Sequence, residues 1–392
     1  MTWIRAAAAI TLALSLSAGP ALAQTAPPFD FGDEPPPEIT DSATAAEVDQ
    51  AGEENATVIR DLQRSSASLI AAFISTRINR SLTLRFDAGR RGRTGDDAQD
   101  AAARPVRHQL AARDGGTIGT QTAQAGTSEG ASTPWSVWAT PSVTFLENTG
   151  TSTAYDGTLV NPLAGVDYAF PGGWVGGVSL GYERIDLDTD FGGRDGSLDG
   201  DGFTIVPYVG TQLTPSLLVD AGVGYTHFEY SRDDAFRQAE GDFDGDRVLV
   251  FGNLTAMAPP AWTGETLNLS GKLGALYAYE DQGSFGQVES QSIELGQLSV
   301  GGRLSQPFTL PDTRAPSQVY AAGTFHYDAI QEDTDAFAGA EPASDDRSEF
   351  LVNVGTDVGV TSRLSLNAEY GITLGREDID SQTVALGLRL IF

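Results

Sequence analysis

The chain has 392 residues, no cysteine and a formal charge of −29, which excludes disulfides, thiolate metal sites and cysteine nucleophiles. A pI near 4.2 also argues against a nucleic-acid partner, since nucleic acid selects basic surfaces. The length fits one large barrel with an N-terminal segment as well as it fits two soluble domains.

Residues 1–23 read as a secretory leader, with Arg5, an apolar run to Leu16, and Ala21-Leu22-Ala23 before Gln24. No later run reaches the roughly 18 apolar residues of a spanning helix, so any membrane crossing must use strands of about 9–11 residues. Segment 24–54 is acidic and proline-bearing and reads as disordered, without a solenoid repeat. Residues 55–83 read as an amphipathic helix: Val58, Leu62, Leu69, Ile70, Phe73, Ile74 and Ile78 form a broad stripe beside Arg60, Arg64, Arg77 and Arg80. Such a helix is about 40 Å long at 1.5 Å per residue, enough to cross a membrane along a pore. Residues 84–134 are rich in Gly, Ala, Thr, Gln and Arg and read as a flexible linker.

From Trp135 to Phe392 strand-length segments are joined by alternately short and long connections. Short ones fall at Pro171-Gly172-Gly173, Thr214-Pro215-Ser216, Pro259 to Gly264, Pro311 to Pro316 and Thr361-Ser362-Arg363. Long ones fall at 147–158, 187–201, 232–245, 281–291 and 332–347, with a shorter one at 376–380. Six loops at one end and five turns at the other require twelve strands, the asymmetry of a transmembrane barrel. The strands alternate apolar with small or polar residues. In 366–375 Leu366, Ala368, Tyr370, Ile372 and Leu374 alternate with Asn367, Glu369, Gly371, Thr373 and Gly375. Stretch 248–257 fits worst, being apolar on both parities.

A soluble sandwich also alternates. Two features favour lipid. Aromatic residues gather at both strand ends, with Trp135, Phe170, Trp174, Trp262, Phe308 and Phe392 toward the short turns. Phe145, Tyr182, Tyr225, Tyr277, Tyr279, Phe325, Tyr327 and Tyr370 gather toward the long loops, which also hold most of the Asp and Glu. Charged residues on the small or polar parity are expected to face the lumen: Asp167, Asp220, Lys272, Glu280, Arg303, Asp357, Glu369 and Arg389. A basic helix would be attracted into such a partly acidic lumen.

Trp135-Ser136-Val137-Trp138-Ala139 as a first strand, Leu163 to Tyr168 in the second, and the ending Leu388-Arg389-Leu390-Ile391-Phe392 complete the pattern. In these features residues 135–392 resemble the translocator barrel of autotransporters (type V secretion). The resemblance implies a twelve-stranded antiparallel barrel in a Gram-negative outer membrane, with an upstream helix in the pore. It also implies that Phe392 closes a C-terminal strand read by the barrel-assembly machinery. Two departures are the long linker after the helix and the absence of an ordinary passenger upstream.

Candidate catalytic sets are few. His326 and Asp328 share a strand face and could orient an imidazole, but no Gly-x-Ser-x-Gly motif accompanies them. His108 lies in the linker. Asp186, Asp188 and Asp190, then Asp195, Asp199 and Asp201, then Asp242, Asp244 and Asp246 have oxygen-ligand spacing, yet Phe191 stands where a calcium loop needs glycine. Plain solvation of these acidic loops is the expectation, with divalent bridges to lipopolysaccharide the alternative; outer-membrane lipid and lipopolysaccharide are the expected partners, with no cofactor. The expected function is a non-enzymatic, autotransporter-like barrel that exports or displays its short N-terminal segment. A passive pore or structural barrel with a periplasmic N-terminal segment is the alternative, and an outer-membrane hydrolase the third.

Overall fold

The computed structural model describes residues 45–93, 134–150, 154–190, 193–234, 240–259, 262, 267–310, 315–333, 347–361, 363–376 and 378–392, with side chains of the helix described to Leu82. The leader, residues 24–44 and linker residues 94–133 lie outside that set. One helix, α1 (Ala45–Arg93), precedes the sheet. The first strand is split at Pro141 into β1 (Trp135–Thr140) and β2 (Ser142–Asn148). The second is split at Asn161-Pro162 into β3 (Ala154–Val160) and β4 (Leu163–Phe170). Ten unbroken strands follow: β5 (Trp174–Asp190), β6 (Asp195–Thr214), β7 (Leu217–Asp234), β8 (Gly241–Met257), β9 (Asn268–Gln282), β10 (Gln291–Thr309), β11 (Pro316–Asp333), β12 (Ser348–Gly359), β13 (Leu364–Leu374) and β14 (Ile379–Ile391).

Each strand pairs antiparallel with its sequence neighbours, and the last closes on the first. β14 pairs with β1 from Ser136↔Ile391 to Ala139↔Leu388, and with β2 from Asn148↔Ile379 to Ser142↔Ala385. Proline lacks the N–H a ladder needs, so the two breaks fall at Pro141 and Pro162. Their carbonyls stay in use: Leu386 N–H donates to Pro141 (3.0 Å) and Tyr182 N–H to Pro162 (3.1 Å). The product is a closed twelve-stranded antiparallel barrel, in which closure satisfies every strand edge.

The alternation read from the sequence is realised as two faces. On the outside Leu180, Phe203, Ile205, Val209, Val223, Leu273, Val300, Leu304, Leu386 and Leu388 are exposed, an apolar band. Trp135, Phe170, Trp174, Trp262, Phe308 and Phe392 are exposed at the short-turn end, and Phe145, Phe203, Tyr225, Tyr277, Phe325, Tyr327, Phe350 and Tyr370 at the other. At the lower ring Trp135, Tyr168 and Phe170 pack edge to face, with centroids 4.7 and 4.8 Å apart. Rings at both rims suit the headgroup region.

Four segments differ from the sequence expectation. The connections at the long-loop end are 149–153, 191–194, 235–240, 283–290, 334–347 and 375–378, so most of 187–201 and 232–245 is strand. The aspartates there point outward along the ladder, Asp186 opposite Asp199 and Asp188 opposite Ser197. β6 has 20 residues, about twice what a lipid span requires, so β5 to β8 stand beyond the upper aromatic ring as a water-facing collar. Outside water suits Asp, while the inner parity there is Ile185, Leu187, Leu198, Phe228, Tyr230 and Phe243, all buried. The helix is also longer than 55–83. Residues 45–54, expected to be disordered, and 84–93, expected to be linker, are both helical.

α1 runs inside the barrel, packed on β3 and β5 to β10. Its upper half buries Ala51, Val58, Ile59 and Leu62 among the apolar lining of the collar and β3. The lower half buries Ile70, Ile74, Ile78 and Leu82 against Val206, Leu218, Leu249, Phe251, Leu276 and Leu295. Each such aliphatic side chain contributes roughly 1.5–3 kcal/mol. Leu249 and Phe251 explain why 248–257 is apolar on both parities, since one face meets lipid and the other the helix. Helix and wall approach so closely that a Cβ on Gly210 would lie 2.2 Å from Ile78 Cγ2. Gly210→Val is therefore expected to destabilise the folded barrel by about 1–3 kcal/mol, with Gly210→Val/Ile78→Ala recovering most of it. Thermal unfolding in detergent micelles measures both, and no recovery in the double variant would place the strain elsewhere.

Candidate functional site

The lumen is a stack of polar layers tying helix to wall. At the short-turn end Arg77 pairs with Asp167, which also accepts from Tyr208 and Ser136 (3.1 Å). Trp138 Nε1 donates to Tyr208 (3.0 Å), fixing that phenol. Nearby, Arg80 and Arg303 share Asp357 at 2.5 and 3.3 Å, with Gln318 (2.7 Å) and Asn367 (2.9 Å) completing its acceptor set. Glu369 accepts from Tyr320 and Asn353, and the Arg303 guanidinium lies 3.6 Å over the Tyr320 ring. Asp220 accepts from Ser75 (3.0 Å) and Asn253 (2.8 Å).

Higher up, Arg247 is fully buried and binds Glu280 at 2.7 Å, with Glu183 at 3.7 Å. Ser66 of the helix donates to Glu183, and Tyr230 to Glu280 (3.0 Å). A second high layer joins Arg64 to Asp328 (2.6 Å) and Asp61 (2.7 Å), and Tyr155 to Asp61 (3.1 Å). Arg376, from the β13–β14 connection, turns inward to Asp61 (3.2 Å), Asp328 (3.4 Å) and Glu349 (3.3 Å). At the top Arg194 clasps Glu54 at 2.7 and 3.0 Å, and Arg232 donates to the Ala51 carbonyl (3.2 Å).

The structure thus places Asp167, Asp220, Glu280 and Asp357 buried on the lumen side, with Lys272, Arg303, Glu369 and Arg389 lining the lumen's cavities. Arg64, Arg77 and Arg80 reach wall carboxylates, and Arg60 is buried on the same helix beside Asp61. Sequence reasoning missed Glu183, Arg247, Asp328 as a helix partner, Glu349 and Arg376. For Arg247 the signal was present, a charge on the inward parity of a mid-barrel strand. For Arg376, a residue of a connection, there was none. His326 makes a lumen polar contact: its Nδ1 lies 3.0 Å from Glu349, while Asp328 serves Arg64, Gln297 and Arg376. The imidazole belongs to the ion-pair layer and is not oriented by Asp328. On the water-facing collar the Asp199 carboxyl is held above its usual range, by partial burial first and then by neighbouring Asp186.

Because α1 sits to one side, a crescent stays open along its Ser68, Ala72, Phe73 and Thr76 edge. The crescent widens into a cavity of about 190 Å³ bordered by Lys272, Asn253, Arg303, Asn353 and Glu369. A second widening of about 70 Å³ lies toward β12 to β14, and a third of about 40 Å³ lies beside Arg389.

A closed barrel with a lipid-type exterior and a charged lumen holding a helix defines a membrane β-barrel. The sequence matches the family described as the autotransporter beta-domain over residues 137–371, and the chain belongs to that family. The translocator domain of autotransporter NalP from Neisseria meningitidis is similar in fold, with TM-score 0.53, 14% identity, and 66% of this chain and 89% of that one covered. Two further similar structures are the β domain of the Bordetella autotransporter BrkA (TM-score 0.49, 17% identity, 66% and 100% covered) and the transport unit of AIDA-I from Escherichia coli (TM-score 0.48, 12% identity, 66% and 90% covered). Among curated proteins none matches this sequence.

Proposed function

We propose that the barrel displays the chain upstream of Ala45 on the outer surface of a Gram-negative cell, using α1 as the stalk. The supporting observation is the direction of the helix. Its N-terminal half is held by Arg194 and Arg232 at the collar end, and Arg77 lies beside Ser136 at the start of β1. In an outer-membrane barrel the collar end faces outward and the short turns face the periplasm. On this reading the N-terminal end of the helix faces outward, and its C-terminal half lies at the periplasmic end, where β1 begins. No chemistry is required, because threading one segment and folding the barrel suffice. Lipid around the apolar band, lipopolysaccharide beside the acidic collar and the barrel-assembly machinery at Phe392 are the partners of this reading.

The test is a protease-cleavable tag inserted between residues 25 and 40 and probed on intact cells. Display predicts clipping without lysis. Protection until the outer membrane is opened would instead favour a passive or structural barrel with a periplasmic N-terminal segment.

A further inference from the structure

We propose that the crescent beside α1 is a path for water and small inorganic ions, held shut at its outer end by Arg376. The inference shares the helix position with the display reading but not the exposure of the N-terminal segment. The crescent runs along helix residues 61–80, from the 40 Å³ widening at Arg77 and Arg389, through the 190 Å³ cavity, to the 70 Å³ widening bounded by Asp61, Glu349 and Arg376. Phe73 and Glu369 border all three, so the three widenings adjoin along the same side of the helix. A water molecule occupies about 30 Å³ of liquid, so the largest stretch holds several. Its wall sets hydroxyl, amide and charged groups, among them Ser299, Asn253, Gln297 and Lys272, within a larger apolar surface, and those polar groups can replace part of an ion's hydration.

At the outer end, among the described residues, the gap meets the layer built on Arg376. That guanidinium is 4% exposed and bridges the helix (Asp61), β11 (Asp328) and β12 (Glu349). The turn that carries it is constrained at both of its ends. Gly375 has φ +89°, Asp378 has φ 64°, and Thr149 N–H donates to the Asp378 carbonyl (2.8 Å), tying the turn to the end of β2. Among the described residues, the Arg376 side chain therefore spans the space between the helix and strands β11 and β12. Three carboxylates on three elements hold it there, two of them buried, and that arrangement makes it a latch and not a surface ion pair.

The experiment measures single-channel conductance of the full chain in planar bilayers in potassium chloride. Wild type is expected to stay near baseline, and Arg376→Ala and Arg376→Gln to conduct with a several-fold rise. Gly375→Val keeps every charge but strains the turn, since no neighbour lies within 4 Å and only the positive φ opposes a side chain. It is expected to raise conductance to a smaller extent. Each variant is first shown to be folded by its resistance to unfolding in SDS at room temperature. Folded variants that match wild type overturn the proposal, as does a wild type that already conducts as Arg376→Ala does. Tag exposure is measured on the same proteins, so failure of the display reading and failure of the latch give different results.

Discussion

Arg247→Leu is expected to destabilise the barrel by about 3–5 kcal/mol, the cost of leaving buried carboxylates without their cation. Arg247 is 1% exposed, binds Glu280 at 2.7 Å with Glu183 at 3.7 Å, and stacks 4.5 Å over Phe228. Water has little access there, because Arg247, Glu183 and Glu280 are each at most 1% exposed. Guanidinium unfolding in micelles measures the loss. Arg247→Leu/Glu280→Gln should recover part of it by removing one stranded charge. A loss below about 1 kcal/mol, typical of an exposed pair, would show that solvent reaches the site and that the layer is not sealed.

Deleting residues 45–93 is expected to raise conductance well beyond any Arg376 variant, because the whole helix leaves the lumen. The barrel wall does not depend on it for closure: every strand finds its ladder partners in other strands. The helix instead supplies apolar contacts that Val206, Leu218, Phe251 and Phe228 would otherwise lack. The deleted barrel should therefore insert and conduct, yet unfold at lower temperature. Unchanged conductance would remove the helix from the pore.

The period-two pattern made the strand number legible, because in lipid one parity must be apolar wherever a strand crosses. The same logic misjudged strand ends. Beyond the membrane the outer parity meets water, so Asp186, Asp188 and Asp244 look like loop residues although their backbones are fully paired. Glycine added to the confusion: Gly200 resembles a loop glycine, but a Cβ there would lie 2.8 Å from the Tyr230 ring. The helix was legible from Val58 to Ile78 because its stripe is aliphatic. Residues 45–54 were not, since Glu54 is charged and is buried only because the collar surrounds it. Polar layers depend on which strands become neighbours across the lumen, as with Arg64 and Asp328, and spacing along the chain carries no trace of that.

The split first strand has a kinetic consequence. Ring closure joins residues 136–148 to residues 379–391, almost the full length of the domain apart, through two short ladders separated by Pro141. So distant a contact forms late, and until it does two unpaired edges stand exposed in the bilayer. The zipper that ends assembly is thus its slowest tooth, and substituting Pro141 by a residue with an N–H should hasten it.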